Sequence, residues 1–274
     1  MEYKRILTVQ DISCVGQCSM TVALPILSAC GHETCILPTA LLSTHTGGFG
    51  KPAVTHMDQA LPEIIRHWQE NQITFDAILV GYLGSIEAIE LTKRMLKELV
   101  APEGIVIIDP AMADHGKLYS GFDEAYVEAM KELCSCADIL MPNLTEAALI
   151  TGKDYREIID EDYVNTLIRG LDNSCVVLTG VGYETDFTGV LVKQDDTVTH
   201  YPHRKVGGSC HGTGDIFAAC FTGSLMRGKN MAQSVEIAAD FTALAIENTV
   251  NNPAHWYGVK FETAIPDLIR MLET

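Results

Sequence analysis

Short apolar runs alternate with stretches of helical periodicity along almost the whole 274-residue chain. Arg5 to Gln10 reads as a strand, and about Gln17 to Ala29 as an apolar amphipathic helix. Glu33 to Leu37 is a second strand. Asp58 to Glu70 carries Leu61, Ile64, Ile65 and Trp68 at helical spacing, and Asp76 to Gly81 is again a strand. Ser85, a capping-type residue, opens a helical stretch to Val100. Ile105 to Ile108 is a short apolar run of the kind that suits a strand buried on both faces. Asp138 to Met141 leads into a helix over Asn143 to Thr151, and Cys175 to Thr179 is a further strand. Strand, helix, strand in this order predicts parallel strands with crossover helices, hence an α/β/α arrangement around a mostly parallel sheet.

After Gly180 the pattern changes. Thr188 to Lys193 and Thr197 to Pro202 flank Gln194-Asp195-Asp196 as an antiparallel hairpin, which gives the sheet an antiparallel edge. His211 to Arg227, Met231 to Asn248 and Phe261 to Leu272 are predicted helices. With no repeat or long linker, one domain over residues 1–274 is expected.

Composition adds exclusions. The chain is 47% hydrophobic and 20% charged, enough for a sizeable core. Its 19 Lys+Arg against 36 Asp+Glu give a net charge of -17, which repels nucleic acid and anionic membranes. The same charge opposes a nucleotide, so a site for one must supply backbone amides, a helix end and metal ions locally. Nine cysteines without a framework spacing suit reduced thiols, and the start Met1-Glu2-Tyr3-Lys4-Arg5 runs straight into a strand; a cytoplasmic location is expected. Cys30, His32 and Cys35, or Cys134 and Cys136, match no zinc spacing.

The segment with most chemistry in it is Gly207-Gly208-Ser209-Cys210-His211-Gly212-Thr213-Gly214-Asp215, running into an apolar helix. Gly212 and Gly214 let the backbone approach a phosphate while unpaired N–H groups point at its oxygens, so Gly212, Thr213 and Gly214 form a candidate anion hole. Asp215, in the first turn, can accept a proton from an attacking alcohol. The helix end favours its ionised form and so a weak base. The other reading is a helix cap after a flexible turn. Cys210 is a candidate thiol for capturing an aldehyde.

This Gly-x-Gly-Asp segment resembles that of the ribokinase superfamily, in which the Asp is the base. Asn143-Leu144-Thr145-Glu146 resembles the family's Asn-x-x-Glu motif, which organises magnesium and phosphate; read alone, Asn143 and Glu146 also make a reciprocal helix cap. By the same resemblance Asp109, at the end of a buried strand, sits near phosphate and metal, and Thr179 contacts phosphate. ATP and Mg2+ are therefore implied, with Asp109 and Glu146 as metal-side residues, together with a monovalent cation and a homodimer. Ser43-Thr44-His45-Thr46-Gly47 and Gly81-Tyr82-Leu83-Gly84-Ser85 resemble segments of the pyridoxal kinases, which implies a vitamin B6 substrate contacted by His45, Thr46 and Tyr82. Where those kinases read Gln-Ser after the first strand, this chain reads Gln10-Asp11. Asp11 can pair with a protonated pyridine nitrogen or bind a sugar diol. The resemblance thus implies phosphorylation of a B6 hydroxymethyl group. Hydroxymethylpyrimidine and sugar kinases of the same superfamily, or a non-catalytic B6-binding protein, are the alternatives. Gly47-Gly48-Phe49-Gly50-Lys51 reads as a flap over the substrate.

Overall fold

The computed structural model describes residues 3–207 and 210–274; Met1-Glu2 and the Gly208-Ser209 part of the glycine-rich segment lie outside the described residues. The chain opens with β1 (Arg5–Ser13), α1 (Met20–Ala29), β2 (Glu33–Leu42), β3 (Val54–His56) and α2 (Leu61–Glu70). It continues through β4 (Phe75–Val80), α3 (Ile86–Leu99), β5 (Val100–Ile108) and a two-strand hairpin, β6 (Ala113–Asp114) and β7 (Lys117–Leu118). Then come α4 (Glu124–Cys134), β8 (Ile139–Leu140), α5 (Leu144–Thr151), α6 (Glu161–Gly170) and β9 (Cys175–Thr179). The last elements are β10 (Phe187–Gln194), β11 (Thr197–Arg204), α7 (Thr213–Met226), α8 (Met231–Val250) and α9 (Ile265–Glu273).

Nine of these strands pair in the order β11-β10-β9-β8-β5-β4-β1-β2-β3. The six central strands run parallel, as the crossover pattern predicts. The predicted hairpin is the antiparallel edge at one end, and β3 adds an antiparallel strand at the other, one that the sequence reading does not contain. Period-two alternation sorts the strand residues between two cores. Leu7, Val9, Ile78, Val80, Val106, Ile108, Val176 and Leu178 face α2 to α6; Ile6, Ala77, Leu79, Ile107, Ile139 and Val177 face α1, α7, α8 and α9. This is the expected three-layer architecture.

Differences from the sequence reading cluster in two stretches. It assigns no element to residues 111–137 or 152–174, where the structure has the β6–β7 hairpin, α4 and α6. Both helices begin at an aspartate, Asp123 and Asp160, whose side chain accepts an N–H of the first turn. The predicted helix from Phe261 begins as a 3-10 turn and becomes α9 at Ile265, with proline in its first turn. All nine cysteines are free. Among the described residues no helix is long and apolar enough to cross a membrane.

Candidate active site

A cavity of about 700 Å³ opens beyond the carboxyl ends of the parallel strands, where strand order reverses between β1 and β4. Most of the predicted residues come from the strand ends. Asp11 comes from β1, Tyr82 from just past β4, Asp109 from past β5, Asn143 and Glu146 from past β8, and Thr179 from β9. His45 and Thr46 enter from the loop after β2, and Gly212 to Asp215 from the start of α7. The fold therefore brings every candidate residue to one cavity.

At the floor, Gly212 precedes α7 with φ +82°, and a Cβ there would lie 1.9 Å from the carbonyl oxygen of Gln17. Only glycine fits both the left-handed conformation and that contact. Among the described residues no side chain caps α7, and its first residues, Gly212 to Asp215, line the cavity. A Cβ on Gly214 would stand 4.0 Å from Asp109 Oδ2, which places that carboxylate against the same loop. Asp215 has its carboxyl pushed up to about 7, chiefly by burial; the N–H of Ser19 opposes the shift and the charge of Asp11 adds to it. Sequence reasoning expects the helix end to hold Asp215 low; desolvation outweighs it. Asp109 is raised to about 8 by burial and by Asp215.

Ser19 joins these groups without being signalled by any motif. It caps α1 with φ 51° and ψ -129°, a strained conformation for a residue with a side chain. Its side chain makes no bond to the helix it precedes. Instead its N–H meets Asp215 and its hydroxyl meets Asp11. Asp11 is 3% exposed, also accepts the hydroxyl of Ser13 at 3.1 Å, and is raised by desolvation.

The Asn-x-x-Glu motif forms a complete capping box on α5. Asn143 Oδ1 accepts the N–H groups of Thr145 at 2.8 Å and Glu146 at 3.0 Å, while Glu146 Oε2 accepts that of Asn143 at 2.9 Å. Glu146 Oε1 accepts the N–H of Met112 at 3.2 Å. Burial and the nearby Asp109 raise the Glu146 carboxyl. Thr179 is tied to the motif by its N–H, which donates to the carbonyl of Pro142 at 3.0 Å.

A divalent cation suits this floor in one way. Asp109 and Asp215 are close carboxylates whose ionised forms repel each other, and a cation between nucleotide and protein relieves that repulsion. Glu146 has both oxygens bonded to backbone, and among the described residues no three acidic, His or Cys side chains form a ready-made cage. A cation bound here would be held by Asp109, with Glu146 reached only through water.

At the opposite end, His45 has both ring nitrogens engaged. Nδ1 accepts the N–H of Gly47 at 3.0 Å, so Nε2 carries the proton and donates to the carbonyl of Tyr257 at 2.8 Å. Burial keeps this ring neutral. Its ring also packs beside His211, centroids 4.9 Å apart. Tyr82 stacks on Phe122 with centroids 5.4 Å apart, which holds its ring upright against the cavity. Phe49 of the predicted flap packs on Trp256 at 4.6 Å and His45 at 5.1 Å. Cys210 lines the cavity, and burial raises its thiol, which leaves it less ionised than a free one.

The sequence reading does not name Lys117 or Tyr119, nor the far wall made by Thr188, Val190, His203, Phe217, Thr242 and Ile246. The hairpin and helices that carry this wall are legible in sequence, but which of their faces turns inward is not.

The phosphomethylpyrimidine kinase family model matches residues 25–259. Among solved structures, pyridoxal kinase from Lactobacillus plantarum superposes with a TM-score of 0.91 at 34% identity, covering 99% of each chain. A Bacteroides thetaiotaomicron protein provisionally described as a phosphomethylpyrimidine kinase, in a crystal form with pyridoxal, gives a TM-score of 0.90 at 31% identity over 97% of this chain and 96% of its own. The pyridoxine/pyridoxal/pyridoxamine kinase of Bordetella avium is 29% identical over 256 residues, 89% of this chain and 85% of its own length.

Proposed function

Because the chain belongs to the phosphomethylpyrimidine kinase family, whose members are ribokinase-like kinases, we propose that it transfers the γ-phosphoryl group of ATP to the hydroxymethyl group of a vitamin B6 compound. The observation that carries this reading is Asp215: a carboxyl held near 7, in the first turn of a helix whose first residues line the cavity, behind a glycine that no other residue can replace.

Asp215 takes the proton of the substrate hydroxyl. A base poised near neutral combines a useful ionised fraction with driving force for proton transfer. The N–H of Ser19 fixes its orientation. The amides around Gly212 to Gly214 meet the charge on the transferring phosphoryl group. A magnesium ion held by Asp109 would supply positive charge that favours the phosphoryl transfer. Thr179 and the Thr188 to Ile246 wall take the rest of the nucleotide. The substrate ring lies between Tyr82 and His45, with Thr46 beside it, and its nitrogen is directed at Asp11. The similarity to kinases named for pyridoxal supports the B6 choice.

Hydroxymethylpyrimidine is the second reading, favoured by the description of the matched family. Turnover of pyridoxal, pyridoxine, pyridoxamine, hydroxymethylpyrimidine and ribose with ATP separates the two. The expected result is a kcat/KM for one B6 compound at least about tenfold above that for the pyrimidine. Turnover of the pyrimidine alone replaces the substrate assignment, and no turnover of any compound reduces the protein to a binding role.

A further inference from the structure

The cavity has an electrostatic gap that the glycines and Asp215 leave open. Five acidic side chains line it, from Asp11, Asp109, Asp114, Glu146 and Asp215, in a chain of net charge -17. A triphosphate adds several more negative charges. Among the described residues lining the cavity, Lys117 is the one Lys or Arg. It lies on β7, in register with Asp114 of β6, and its ammonium has no ion-pair partner among the described residues.

A ladder of two residues on each side does not hold itself together in water. This one is fastened to the start of α5. Asn143 Nδ2 donates to the carbonyl of Ala113 at 2.9 Å, the N–H of Gly116 donates to Thr145 Oγ1 at 3.0 Å, and that of Met112 to Glu146 at 3.2 Å. The N–H of Tyr119 closes the base of the hairpin on the carbonyl of Met112 at 2.9 Å. Its tip, His115-Gly116, is left-handed at both residues, and a Cβ on Gly116 would lie 2.5 Å from the ring of Tyr155. Thr145 is 3% exposed and sits inside the Asn-x-x-Glu motif. The polar atoms of that motif thus have a task besides phosphate and metal: they hold the hairpin at the edge of the cavity.

We infer that Lys117 is the protein's own cation for the nucleotide phosphates, and that Thr145 is a positioning residue that acts by fixing the hairpin that carries it. The inference rests on the kinase reading above. Its test compares wild type, Lys117→Met, Lys117→Arg, Thr145→Val and the Lys117→Met/Thr145→Val pair, with thermal melts as a folding control. Lys117→Met is expected to raise the KM for ATP about tenfold, the loss of one charge-assisted contact, while the KM for the acceptor changes less than about twofold. Lys117→Arg restores most of the loss. ATP affinity of wild type falls more steeply with salt than that of Lys117→Met, because one phosphate contact is screened away. Thr145→Val raises the KM for ATP about threefold alone and adds nothing on top of Lys117→Met. An unchanged ATP KM and salt slope in Lys117→Met overturns the inference, and additive losses in the pair remove Thr145 from it. Calorimetric ATP and ADP affinities of the same variants keep the two readings apart. If wild type binds nucleotide but phosphorylates nothing, the transfer reading fails while Lys117 is still judged by affinity. If wild type binds no nucleotide, both fall.

Discussion

The two ends of the cavity are built differently. The end proposed for phosphate is backbone: one helix start, one glycine pinned by φ +82° and by the Gln17 carbonyl, and a carboxyl in the helix's first turn, all within Gly212 to Asp215. The ring end is side chain: Asp11, His45 and Tyr82 arrive from three separate segments and are held by Ser13 and Ser19, by the Tyr257 carbonyl and by Phe122 respectively. The phosphate end has little tolerance, because shifting the backbone there moves every donor at once. The ring end is distributed, so single changes should alter affinity before they alter chemistry.

Asp215→Asn should break the comparison most visibly. It removes the proton acceptor and is expected to lower kcat about 10³-fold, while calorimetry still detects binding of the B6 compound. A near wild-type kcat would falsify the base assignment. In wild type, kcat/KM should fall about tenfold per pH unit below 7 and level off above it, since a carboxyl raised to about 7 is protonated on the acid side and cannot take a proton. The same raised carboxyl destabilises the fold once it ionises. Its folded value exceeds its unfolded one, so the folded state binds the proton more tightly and stability falls as pH rises between about 4 and about 7. Asp215→Asn should therefore melt higher than wild type at pH 8, by about 2–4 °C for each kcal/mol relieved, and the gain should vanish near pH 4.

Gly212→Ala comes next. A methyl 1.9 Å from the Gln17 carbonyl forces the loop to move, and displaced amides should lower kcat about 10²-fold together with the melting temperature. Unaltered kcat would show that the amides before Asp215 do not face the transferred group.

The smallest effect belongs to the ring end. Asp11→Ser should raise the KM for the B6 compound about tenfold and leave that for ATP unchanged. The loss should depend on pH if the partner is a protonated ring nitrogen. Affinity that is flat across pH in both proteins would remove that pairing and reopen a sugar-like contact.

Much of the fold was legible. Cys175 to Thr179, the hairpin around Gln194-Asp195-Asp196 and the capping box at Asn143 and Glu146 are local patterns of alternation, turn chemistry and reciprocal side chains, and each forms as read. The β6–β7 hairpin was not legible, because it draws its stability from Asn143, Thr145 and Glu146, 29 to 34 residues further along the chain. The α4 and α6 caps at Asp123 and Asp160 were present in the sequence, each in the stretch ahead of a strand that was read, but a lone capping aspartate is a weaker local signal than a strand run.

By itself the sequence determined the parallel architecture and the glycine-and-aspartate floor, since both depend on period, backbone freedom and residues adjacent in the chain. Tertiary structure alone decided the rest. It set the upward shift of Asp215, where burial outweighs the helix end, and the strained Ser19 between Asp11 and Asp215. It also engaged both nitrogens of His45 and placed Lys117 over the cavity. Each of these depends on which distant groups displace water from a side chain, and a linear sequence does not contain that distance.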